Sequence, residues 1–142
     1  MLQIISSNEA LKRAAHFYAR ILGLTEGTVI ITVIDNHEHL GVCDYFRAGN
    51  LAFIILETME EPEDLFQTLA HEMVHAKQYI KGELNFDRYE EDIAEWNGTH
   101  YSISDELDEA YWFAPWEVEA YGMQVGLVEM YLRELEKSGS IH

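Results

Sequence analysis

Cysteine is almost absent from this chain, with Cys43 standing alone. No intramolecular disulfide can form, so packing has to hold the fold, and a reducing, cytoplasmic setting is expected. Basic residues are also scarce: 9 Lys and Arg face 26 Asp and Glu in 142 residues, for a formal net charge of −17. Phosphate backbones and anionic bilayers repel such a surface, so neither nucleic acid nor membrane is expected as a partner, whereas a neutral or basic peptide or protein fits. No apolar run approaches the roughly 20 residues of a membrane span. The opening "MLQIISSNEALKR" carries acid and base where a secretory leader would be apolar, so no leader is expected.

What is present argues for a folded domain. Hydrophobic residues make up 48% of the chain and aromatics 12%, more than a disordered segment carries. The length fits one domain, 1–142. Ser6 or Ser7 is placed to cap a first helix in which Leu11, Ala14, Ala15, Tyr18, Ile21 and Leu22 recur at helical spacing, with Gly23 as the stop. "GTVIITVID" reads as a strand, and "GVCDYF" and "LAFIILE" as two more joined by the turn "RAGN". The only two prolines each open a helix, Pro62 to about Ile80 with Gly82 beyond it, and Pro115 to about Lys137. Between them the acidic stretch from Glu83 to Ala114 contains a short helix near "EEDIAEW" and the turn "NGTH". The expected class is α+β, with about three strands packed against a central helix and helices at both ends.

The chemistry concentrates in "TLAHEMVHAKQY", where His71, Glu72 and His75 form the pattern H-E-x-x-H. Two histidines four apart on a helix reach one metal ion from the same side, and the glutamate between them reaches a water there. Helical geometry separates Thr68, Glu72, His75, Gln78 and Tyr79, on the side of His71, from Leu65, Phe66, Leu69, Ala70, Met73, Ala76 and Ile80 on the other. A catalytic zinc needs a third protein ligand. Glu117 is the first candidate, because it shares the inward face of the last helix with Tyr121, Gln124, Val125 and Val128, and a buried carboxylate requires a cation or donors. His100 and Glu119 remain alternatives, Glu119 on a face that reads as solvent-exposed. His16, His37, His39 and Cys43 have ordinary surface or packing explanations.

"HEMVH" and the later "EVEA" at Glu117–Ala120 together resemble the zincin superfamily of metallopeptidases, in particular its minimal gluzincin-like members. The resemblance covers roughly Leu51 to Gln124. It implies zinc held by His71, His75 and Glu117, Glu72 as general base in peptide-bond hydrolysis, and "LAFIILE" as a strand at the cleft rim that pairs with an extended substrate. Where related families often carry Asp or Asn four residues after the ligand glutamate, this chain has Tyr121. The helix is also similar to that of SprT-like proteases, with His100 as counterpart of their third ligand, and to that of peptide deformylase, whose cysteine ligand lies upstream as Cys43 does. Tyr79, Tyr111, Tyr121 and His100 are candidates to stabilise an oxyanion. The rival expectation is a non-catalytic peptide-binding module whose zinc is structural, closed by a fourth ligand from His100 or Glu119.

Overall fold

A computed structural model describes residues 1–35, 41–58, 62–86, 93–102 and 113–139. The elements run β1 (Gln3–Ser6), α1 (Glu9–Leu22), β2 (Thr28–Ile34), β3 (Gly41–Phe46), a 3-10 turn (Arg47–Gly49), β4 (Leu51–Glu57), α2 (Pro62–Ile80), β5 (Leu84–Phe86), β6 (Ile93–Trp96), β7 (Thr99–Ser102) and α3 (Pro115–Lys137). The α+β class is as expected, with seven strands in two sheets among the described residues rather than about three. His37, His39, Tyr111 and Trp112 lie outside the described residues.

Helix boundaries follow local chemistry. The cap of α1 is Asn8, not Ser6 or Ser7: its Oδ1 accepts the Leu11 N–H at 3.1 Å, while Ser6 ends β1 and its Oγ accepts the Asn8 N–H. At the far end Gly23 takes φ 71°, which lets the Leu24 N–H reach the Ala19 carbonyl at 2.8 Å. Gly82, φ 76°, closes α2 in the same way, with the Glu83 N–H donating to the Gln78 carbonyl.

The larger sheet has the order β1-β2-β4-β3, with β2 parallel to both β1 and β4, and β3 antiparallel to β4. The parallel β1–β2 pair follows from the crossover helix α1 between them, whereas β2 and β4 come to lie parallel because β3, between them in sequence, pairs antiparallel on the far side of β4. "LAFIILE" is therefore an interior strand, hydrogen-bonded on both sides, and the expectation that it forms the rim is corrected. β3, carrying "GVCDYF", is an edge strand among the described residues, with β1 at the opposite edge. The second sheet is the antiparallel meander β5-β6-β7. Ile93–Trp96 is a strand in it, not the helix expected near "EEDIAEW". Asn97 and Gly98, at φ 48° and 86°, make the two-residue turn whose twist suits a hairpin.

One face of the larger sheet, including Val29, Ile31, Ala52, Ile54 and Leu56, is sealed by helices. α2 lies at the centre, against β3 and β4 on one side and α1 and α3 on the others. From Leu69 to Ala76 every residue of α2 is buried, so the polar side of the helix is enclosed along with its apolar side. A smaller cluster of Leu84, Ala94, Ala114 and Trp116 ties the second sheet to the start of α3. Among the described residues no helix is long and apolar enough to cross a membrane.

Two glycines test this account of the helices. A Cβ at Gly122, within α3, meets open space, so Gly122→Ala should raise stability in urea unfolding by about 0.5–1 kcal/mol. A Cβ at Gly82 is equally unobstructed, but its left-handed backbone penalises a side chain, so Gly82→Ala should lower stability by about 1–2 kcal/mol.

Candidate metal centre

One turn apart on α2, His71 and His75 point at the first turn of α3, where Glu117 is the third residue after the break at Ala114. A helix N-terminus favours a carboxylate there. Glu117 Oε1 lies 3.1 Å from Nε2 of both histidines, and the two Nε2 atoms are 3.2 Å apart. All three residues are 8% exposed.

The outer hydrogen bonds decide what these atoms are. Gln78 Nε2 donates to the Trp116 carbonyl at 3.0 Å and to Glu119 Oε1 at 3.1 Å, two groups that only accept. The amide is thereby oriented with Oε1 toward His75, so His75 Nδ1 must donate to it, at 2.8 Å. His71 Nδ1 contacts Gln124 Oε1 at 2.8 Å in the matching arrangement. In the neutral histidines both Nε2 atoms then carry lone pairs, and these converge with a carboxylate oxygen in a buried space. Such a set of acceptors requires a positive charge. A tetrahedral ion with bonds of about 2.0–2.1 Å spaces its donors about 3.3 Å apart, close to the observed separations. The His71, His75 and Glu117 cluster could hold a metal ion, and among the described residues no fourth His, Cys, Asp or Glu joins it.

Without metal, protons serve. Burial works against the Glu117 charge, yet hydrogen bonds from His71 and His75, and their charge, bring its pKa down to about 2. Burial likewise disfavours the His75 cation, but the hydrogen bond and charge of Glu117, with Glu72 and Gln78 adding, raise its pKa above the ordinary value.

Behind Gln78 stands a further layer. Glu119 accepts from Lys77 Nζ at 3.0 Å as well as from Gln78, and Lys77 also pairs with Glu83 at 2.8 Å. Glu119 therefore faces α2 rather than solvent, which corrects its expected exposure. On the same helix Tyr121 and Val125 are 38% and 55% exposed, contrary to the inward face expected for them, because the buried line runs through Trp116, Ala120, Leu127 and Tyr131. Neither Glu119 nor His100 belongs to the cluster: His100, on β7, has Nε2 3.5 Å from Glu95 Oε2 and a largely exposed side chain.

Glu72 shares a cavity of about 220 Å³ with His71, His75, Glu117 and Tyr79. Edge strand β3 forms its wall, and the fit is close: a Cβ on Gly41 would sit 3.3 Å from Glu72 Oε2 and 2.7 Å from Thr68 Cγ2. Burial raises the Glu72 pKa, His75 and His71 offset this in part, and Glu117 adds to the rise. Cys43 lines the same cavity outside the ligand cluster, and burial, with Glu72 and Asp44, pushes its thiol well above its ordinary value. Tyr121 sets its ring edge-on to His71, with centroids 4.4 Å apart. The roles of Gln78 and Gln124 escaped the sequence, although both fall on the right helical faces, three residues after His75 and seven after Glu117.

Metal binding must displace the proton from His75, so zinc affinity should fall as pH drops through and below the raised His75 pKa and level off above it. Gln78→Leu removes one contribution to that rise. In titrations against a zinc indicator it should move the midpoint to lower pH and weaken binding on the plateau by about 10–100-fold, while leaving the circular dichroism spectrum native.

No family model, curated protein or solved structure matches this chain, so the character of the centre rests on its own geometry.

Proposed function

We propose that the protein is a zinc-dependent metallopeptidase of zincin type. The observation that carries this is the pairing of a three-residue ligand cluster with Glu72 in a single cavity beside a strand edge that has no partner among the described residues. Imidazole and carboxylate donors in tetrahedral spacing suit zinc, and a site with three protein ligands keeps a position for a reactant. When bound, zinc supplies Lewis acidity toward a carbonyl and acidifies water.

The chain's own residues do the rest. An extended peptide adds to the outer edge of β3, which has no strand partner among the described residues, and this backbone pairing places a carbonyl over the cavity. Glu72 accepts the proton of the attacking water as its oxygen bonds to the carbonyl carbon, then delivers that proton to the leaving amine nitrogen as the C–N bond breaks. Burial suits this role, because it lifts the carboxyl pKa toward the working pH and excludes competing water. Tyr79 lines the cavity and keeps its phenolic proton, since burial, with Cys43 and Asp44 adding, raises its pKa. Among the described residues it is the one expected tyrosine that lines the cavity. Gln78 and Gln124 hold the two histidines with Nε2 inward.

A closed structural site draws no support from the placement of its two expected fourth ligands, since Glu119 is engaged by Lys77 and Gln78, and His100 lies beside Glu95. The test is hydrolysis of a casein or a quenched-peptide mixture by zinc-loaded protein. Glu72→Gln should lower the rate at least about 100-fold while keeping the wild-type zinc content. Equal hydrolysis by both proteins would contradict the assignment.

A further inference from the structure

A second, larger cavity of about 1030 Å³ opens beside the metal cavity. One wall is the end of β3 and the following turn, from Asp44 to Ala48, and the other is the second sheet. The two cavities share Tyr79, Leu84 and Phe86, so they adjoin along one cleft wall. Its floor is a chain of aromatic rings. Tyr45 stacks on Tyr79 with centroids 5.4 Å apart and planes 2° from parallel; Tyr79 meets Phe86 at 6.0 Å, and Phe86 meets Trp116 at 6.5 Å. Phe86 stands at the junction and is 45% exposed. That is apolar surface held open to solvent beside a reactive centre.

Charge recognition explains this cleft less well than apolar contact does. Arg47 donates to Asn85 Oδ1 at 2.6 Å across the two walls, and Glu95 lies beside His100, so both are already engaged. Exposed Asp44, in a chain of net charge −17, is placed to repel acidic side chains.

Strand geometry sets the distance. Gly41 packs on Glu72 and Tyr45 stacks over the larger cavity, four positions along β3, or about 13 Å at 3.3 Å per residue. An added strand takes the more stable antiparallel direction, running from the Phe46 end toward Gly41. Residues before the scissile bond then lie over the aromatic floor.

We propose that the larger cavity is a specificity site for a bulky aromatic or aliphatic side chain two to four residues on the amino-terminal side of the cut, and that it disfavours acidic residues there. The assignment rests on the peptidase reading for its placement relative to the cut, and its binding chemistry can be tested apart from hydrolysis. Zinc-loaded Glu72→Gln protein should bind a fluorescein-labelled peptide bearing one Phe about tenfold more tightly than the same peptide with Ala, as expected for burying most of a phenyl ring. Phe86→Ala in that background should erase the preference and Phe86→Leu should keep most of it, with native circular dichroism in both. In parallel, wild-type protein digests a peptide library read by mass spectrometry, where Phe, Tyr, Trp or Leu should be enriched two to four residues before the cut.

Cleavage without enrichment at those positions overturns this proposal and leaves the peptidase reading standing. Phe-dependent binding that requires Phe86, with no cleavage of any peptide, supports the cleft and sinks the peptidase reading. Absence of both binding preference and cleavage overturns the two together.

Discussion

The structure turns on one electrostatic constraint: Nε2 of His71, Nε2 of His75 and Oε1 of Glu117 lie within 3.2 Å of one another in a buried space. Three acceptors cannot be enclosed this way without a positive charge among them. The glutamines behind the histidines sharpen the constraint, because Gln78, oriented by Trp116 and Glu119, leaves His75 no choice of tautomer. Protons relieve the conflict in the metal-free protein, as the low Glu117 pKa of about 2 and the raised His75 pKa indicate. A metal ion relieves it with all three lone pairs at once.

The fold supplies the rigidity this demands. α2 is buried all round between Leu69 and Ala76, with Met73 and Val74 fully enclosed and Tyr18 and Tyr131 packed in the same core. The histidine rotamers are thus fixed by packing on one side and glutamine bonds on the other, which limits reorganisation when a ligand enters. Glu117 depends on a different device, the abrupt start of α3 at Pro115, pinned by Trp116 in the smaller core. The centre bridges two clusters of apolar packing, and Lys77 ties them again through Glu83 and Glu119.

Much of this was legible in the sequence where one residue type carries one strong signal. The prolines opened α2 and α3, Gly23 and Gly82 closed α1 and α2, the H-E-x-x-H spacing picked out His71 and His75, and Glu117, first of three candidates, is the one that converges with them. The losses have physical causes. β1, β5, β6 and β7 are only three or four residues long, too short for alternation to stand out, so the Asn97–Gly98 hairpin registered as a turn without strands. Choosing "LAFIILE" as the rim strand followed the zincin resemblance, but a strand that apolar belongs inside a sheet, and the more polar "GVCDYF" takes an edge. Gln78 and Gln124 stayed silent because an amide has no signature until its partners across 38 to 53 residues of chain are known.

The measurement closest to the central claim is the metal content of purified protein after zinc reconstitution and exhaustive dialysis, by elemental analysis, with Glu117→Ala as the comparison. The convergence of His71, His75 and Glu117 predicts one zinc per chain in the wild type and its loss in the variant. A wild-type protein that retains no zinc would contradict the account at its root.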